Sequence, residues 1–289
     1  MVLRKCVPAV FLAGVLSTAS IAASAGDLVK GTSQILAAAV PGHPAIRWGD
    51  ALKLLLPDVR PDADGSIEAT QFAKARRLDS ADEVAADGPV HAAWLSAQDV
   101  VEGGQPRLLI FAAMDQPLSG TPGSALLALI DPTPQPRLLD LVDVGDDREN
   151  DLDGNQQLKF GPGSDLITLS STHASAGEDA TIRKALFVDG DRFGIAASVP
   201  LLSLKICGYE RTQTGTFAVH AKPGQEFGSL EVTVSETARR VAGECEPRSH
   251  QKTGRATWRA TFRWNPATHK FETTSRELEA LAKHNGEGL

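Results

Sequence analysis

From about residue 89 onward, apolar and polar side chains alternate with a period of two. Arg255 to Trp264 is the clearest case. Trp258, Ala260, Phe262 and Trp264 fall on one face, and Arg255, Thr257, Arg259, Thr261 and Arg263 on the other, as in a half-buried strand. Leu230, Val232 and Val234 alternate with Glu231, Thr233 and Ser235, and Phe217, Val219 and Ala221 repeat the pattern. Further strands are expected at Val90–Ala97, Arg107–Met114, Ala125–Ile130, Leu138–Val144, Leu166–Ser171 and Thr181–Val188. Asp189-Gly190-Asp191 and the segment from Asn265 to His269 have the composition of hairpin turns. Most gaps are too short for crossover helices, so neighbouring strands must run antiparallel.

The pattern predicts a mainly β protein, an antiparallel meander forming a β-sandwich or a propeller-like sheet array. It also predicts a small helical N-terminal segment and a short C-terminal helix. Residues 26–88 read as helices and loops. Ile35 to Val40 is an apolar fragment halted by Pro41-Gly42. Ala51 to Leu56 follows a capping Asp50 and stops at Pro57, and Ala69 to Leu78 is a third helical stretch. The β domain spans 89–274. Residues 275–289 form the C-terminal helix and tail, opened by a capping box at Thr274-Ser275-Arg276-Glu277.

Residues 1–25 read as a secretory signal peptide. Arg4 and Lys5 precede the apolar run Val7 to Leu16, and Ala23-Ser24-Ala25 fits a small-x-small cleavage site. The run is shorter than the roughly 20 residues of a membrane span. Val15 stands where a lipoprotein signal would need cysteine. The expectation is an exported, soluble, periplasmic or extracellular protein with no transmembrane span after cleavage. Two of the three cysteines, Cys207 and Cys245, would remain and are expected to pair in an oxidising compartment.

Charge narrows the partners. The chain carries 29 basic and 36 acidic side chains, a net of −7, and the excess acid lies before residue 200. No nucleic-acid partner is expected of so acidic a chain.

Two acidic loops invite a calcium reading. Residues 60–71 look like an EF-hand loop in their middle, where Asp62, Asp64 and Ile67 fit around Gly65. Arg60 and Gln71, however, replace the first carboxylate and the bidentate glutamate. The loop therefore reads as an Asp/Gly turn between two helices. From Asp143 to Asp153 there are six acidic side chains, and Asp151-Leu152-Asp153-Gly154 is similar to the calcium turns of secreted β proteins. Asp146, Asp151 and Asp153 are the candidate calcium ligands, set against a solvated hairpin loop. No other cofactor is expected.

Other chemistry is sparse. The seven histidines form no HxH or HExxH pair, so a zinc site would draw its ligands from distant strands. No G-x-S-x-G elbow or phosphate-binding loop is present. Aromatic residues make up only 5%, which leaves little for a sugar-binding platform. Arg255, Arg259 and Arg263 recur about 13 Å apart on one strand face and are the candidate binding residues for an anionic envelope partner or a protein. The leading expectation is a non-catalytic binding or envelope-associated protein. Two alternatives stand beside it: a secreted hydrolase with a site assembled from distant loops, and a calcium-stabilised β scaffold.

Overall fold

The computed structural model describes residues 27–78, 80, 82–84, 88–115, 124–153, 158–222, 224–242 and 252–286. The expected signal peptide and Cys245 lie outside them. In chain order come β1 (Val29–Lys30), a 3₁₀ turn at Ser33–Ala37, β2 (Ala39–Val40), β3 (His43–Arg47) and α1 (Trp48–Leu55). Next are β4 (Arg60–Pro61), β5 (Ile67–Ala69), β6 (Ala75–Arg77), β7 (Glu83–Val84), β8 (Val90–Glu102), β9 (Gln105–Met114), β10 (Ala125–Asp131) and β11 (Arg137–Asp143). The second half holds β12 (Glu149–Leu152), β13 (Leu158–Gly161), β14 (Ser164–Ser175), β15 (Glu178–Asp189), β16 (Arg192–Ile206) and β17 (Tyr209–His220). It ends with β18 (Ser229–Arg240), β19 (Gly254–Asn265), β20 (Lys270–Glu272) and α2 (Glu277–Gly286).

The protein is mainly β, with two nine-stranded, antiparallel-dominated sheets. The first runs β4-β5-β8-β9-β10-β11-β6-β7, with β1 also on β8. The second runs β12-β14-β15-β16-β17-β18-β19-β20, with β13 also on β14. The β11–β6 pair is parallel. Among the described residues no helix is long and apolar enough to cross a membrane.

The larger apolar cores explain the sequence pattern. Leu108, Ile110 and Ala112 of β9 point to α1, whose Trp48, Ala51, Leu52 and Leu55 are buried at helical spacing. Leu109 and Phe111, one residue out of phase, point the other way. They meet Ile167, Leu169, Leu186 and Val188 of the second sheet. β9 and β10 are covered on both faces, so they read as continuous apolar runs and not as alternation. The second sheet curls over its own core. Phe187, Val199, Phe227, Val232 and Phe271 pack there under Leu281 of α2. Phe160 stacks on Phe271 with ring centroids 4.7 Å apart.

Tight turns set the hairpin registers. Asp189 pairs with Arg192 across Gly190 and Asp191, both at positive φ (55° and 64°), the backbone that a two-residue hairpin requires. Ile206 pairs with Tyr209 across Cys207 (φ 46°) and Gly208 (φ 66°) in the same way.

The N-terminal segment differs from expectation, because it is not chiefly helical. The expected helix at Ala69–Leu78 is replaced by the end of β5 and by β6. Short apolar stretches do not separate helix from strand by themselves. Distant partners decide here: Arg76 bonds Asp140 at 2.8 Å and Arg77 bonds Asp143 at 2.9 Å, which pins β6 along β11. Ile35–Val40 becomes a 3₁₀ turn followed by β2. The helix near Asp50 forms, but Arg47 is its N-cap and Asp50 sits in its first turn, where a negative charge suits the helix dipole. The 60–71 loop joins two strands, not two helices. At α2 the cap is Ser275, whose Oγ accepts from the Glu277 N–H at 3.3 Å.

Candidate functional site

Among the described residues, two large apolar side chains are exposed, Leu28 at 38% and Trp94 at 47%. Both line one cleft of about 500 Å³ where the two sheets part. The cause of Trp94's position is local. The β8–β9 register shifts between Ala92 and Trp94. Ala92 points into the α1 core, and after the bulge so do Leu95 and Ala97. Without the extra residue, strict alternation would place Trp94 beside Ala92 in that core. The bulge turns Trp94 onto the face that Val100 shares with the second sheet, at a point where that sheet leaves an opening.

The walls follow from strand pairing. From the first sheet come Ala93 and Trp94 of β8 and Ala113 and Met114 of β9, with Asp115 just beyond. From the second come Glu149 and Asp151 of β12, which pair with Thr172 and Ser170 of β14. Glu149 and Asp151 are two apart, so both face the cleft. Asn150 between them also borders the cleft, with its amide committed: it accepts a short hydrogen bond from the Ser171 hydroxyl and donates to the Asp147 carbonyl at 2.7 Å. Arg148 also lines the opening. Three carboxylates and one guanidinium thus surround an apolar patch with an indole at its mouth.

Asp151 carries the electrostatic signature. Crowding by protein atoms, and then the Asp153 carboxylate, hold its pKa above the ordinary carboxylate value; a backbone N–H at Leu152 opposes them. The residue still reaches solvent at the mouth. It is therefore a carboxyl that an incoming cation would help to ionise.

The other acidic side chains of this stretch go elsewhere. Asp143 is buried, accepting from the Ala125 and Gly145 N–H groups at 3.2 and 3.0 Å and from Arg77. Of the three calcium candidates, Asp146 bonds Lys184 at 2.6 Å and Asp153 bonds Arg183, while Asp151 faces the cleft. Asp147 lies 3.0 Å from His173. The three are close in sequence, yet two are committed to basic partners on β15.

Arg255, Arg259 and Arg263 are exposed along the outer face of β19, opposite Thr237, Thr233 and Glu272. Arg263 also borders a groove of about 330 Å³ with Lys222 and Trp264. Trp258 and Trp264 pack against the second sheet's core. Cys207 occupies its hairpin turn beside the end of β18, where Val241 N donates to Gly208 O at 2.9 Å.

Sequence reasoning missed the cleft. Its one available signal was a tryptophan between Ala93 and Leu95 in an expected strand. Comparison with protein-family models, with curated proteins and with solved structures finds no match to this chain.

Proposed function

We propose that this is an exported, non-catalytic binding protein whose ligand site is the cleft at Trp94. The ligand class follows from the lining: an organic cation, an ammonium or guanidinium on an apolar body. The observation that carries this reading is the convergence of both exposed large apolar side chains on one acidic opening. Exposed apolar patches rimmed by polar groups mark interaction sites. An indole face attracts cations, and Asp115, Glu149 and Asp151 outnumber Arg148.

The scaffold is read as a β-sandwich, supported by the core drawn from both sheets. Export rests on the N-terminal pattern. The expected Cys207–Cys245 bridge would close a loop of 39 residues and stabilise by about 4 kcal/mol by chain entropy. It is supported by Cys207's place next to the strand that leads towards Cys245.

Calorimetric titration with a dibasic peptide and with its neutral citrulline isostere tests the reading. Saturable binding of the basic peptide, weakened about tenfold or more in Trp94→Ala, is expected, since a desolvated cation–indole contact contributes about 2 kcal/mol or more. Equal binding of both peptides, or full affinity in Trp94→Ala, contradicts it.

A further inference from the structure

Independently of the cleft, we propose that Asp62, Glu68 and His91 form a binding site for a divalent transition-metal ion, with Zn²⁺ as the representative cation. The three side chains come from three adjacent chain segments. Arg60 pairs with Glu68 in the β4–β5 hairpin, and Glu68 pairs with His91 of β8. Asp62 follows β4 and is closed against Ser66 by a 3.0 Å backbone hydrogen bond. Strand alternation places these positions on the face opposite buried Ile67 and Ala69. One ligand atom from each of the three lies within 4.8 Å of the others, and all three residues are half-buried. In a tetrahedral site with bonds near 2.1 Å, neighbouring ligand atoms sit about 3.4 Å apart. Side-chain rotation of about an ångström closes that gap.

The hydrogen bonds also suit a metal. Each side chain is held by one heteroatom and leaves another open. Asp62 Oδ1 accepts from the Ala63 N–H at 2.6 Å. Glu68 Oε1 is bonded by Arg60. His91 Nδ1 lies 3.4 Å from the Ser66 hydroxyl. Among the described residues, Asp62 Oδ2, Glu68 Oε2 and His91 Nε2 make no hydrogen bond. Partners of this kind orient metal ligands from behind. Arg60 thus holds Glu68 through Oε1. One imidazole with two carboxylates suits zinc or manganese better than calcium, which takes oxygen ligands only. Half-burial leaves a further coordination position to water. The EF-hand likeness of this loop marked the right residues in part, but the site depends on a histidine from a strand more than twenty residues on.

The test is calorimetric titration of untagged, chelator-treated full chain with Zn²⁺ and with Ca²⁺. Binding of one Zn²⁺ is expected. His91→Ala and Asp62→Asn should each weaken it roughly tenfold or more, and Asp151→Asn should leave it unchanged. Should His91→Ala fail to fold, His91→Gln takes its place. Absence of Zn²⁺ binding overturns the proposal. So does affinity retained without His91, or Ca²⁺ bound as tightly as Zn²⁺.

Discussion

β9 and β10 of the first sheet and β17 to β19 of the second are paired strands with opposite chemistry. The first pair is dry on both faces: α1 covers one and the second sheet the other. The second set is dry on one face only. Val232 and Val234 are fully buried, while Thr233, Thr257 and Arg259 face outward. A strand's sequence therefore reports how many of its faces are covered, not merely that it is a strand. The cleft lies where double coverage ends, at the bulge of β8.

The largest effect that can break this comparison is truncation of a doubly covered side chain. Phe111→Ala should cost about 3–5 kcal/mol, read as a lower urea midpoint. A loss below about 1 kcal/mol would mean that the two sheets are not packed through Phe111.

The second sheet has a polar counterpart to that core. Arg211 (4% exposed) bonds Glu236 (7% exposed) at 2.7 Å, and Gln213, His284 and Asn285 complete a network that pins α2. Glu236→Ala leaves a buried guanidinium without its anion and should cost about 3–5 kcal/mol. Burial alone would raise the Glu236 pKa. Hydrogen bonding from Gln213, with the charges of Arg211 and His284, outweighs it, and the pKa lies below the ordinary value. A depressed carboxyl pKa stabilises the fold above the unfolded-state value, and that stability is lost as pH falls through the folded value. Acid should thus release α2, reported by the fluorescence of Trp258, whose ring lies 5.2 Å from that of His284. The acid-induced change should be much reduced in Glu236→Gln.

Asp151→Asn should act in the opposite sense. Its raised pKa means that ionisation opposes folding, so the variant should be more stable than wild type at neutral pH. The gain should be at most about 1 kcal/mol, because the carboxyl reaches water. It should vanish at pH values below the ordinary carboxylate range, where both forms are neutral. A gain in stability coupled to lost binding is the expected signature of a functional site. Smallest of all is Arg259→Ala on the solvated face, expected within about 0.5 kcal/mol by urea unfolding; a larger loss would mean that this face is covered.

Strand positions were legible because alternation and apolar runs are local. The apolar run at Arg107–Met114 and the alternating stretch at Arg255–Trp264 lie within the observed β9 and β19. The N-terminal segment was not legible, because β6 owes its form to Asp140 and Asp143, more than sixty residues away. The cleft was hidden for a subtler reason. Alternation through Val90–Ala97 does not reveal the bulged residue that turns Trp94 away from the face of Ala92. The acidic loop drew attention by density, yet density does not say which carboxylates are already neutralised. Lys184 and Arg183 take Asp146 and Asp153, and leave Asp151 to the opening.

The most direct test of the cleft as a cation site is proton release on binding. Titrations with the dibasic peptide at mildly acidic pH, in two buffers of different ionisation enthalpy, count the protons exchanged. An arriving cation favours the ionised carboxyl, so wild type should release protons on binding, and Asp151→Asn should release far fewer. Binding without proton release, or release unchanged in Asp151→Asn, would contradict the assignment of the ligand's charge to this carboxyl.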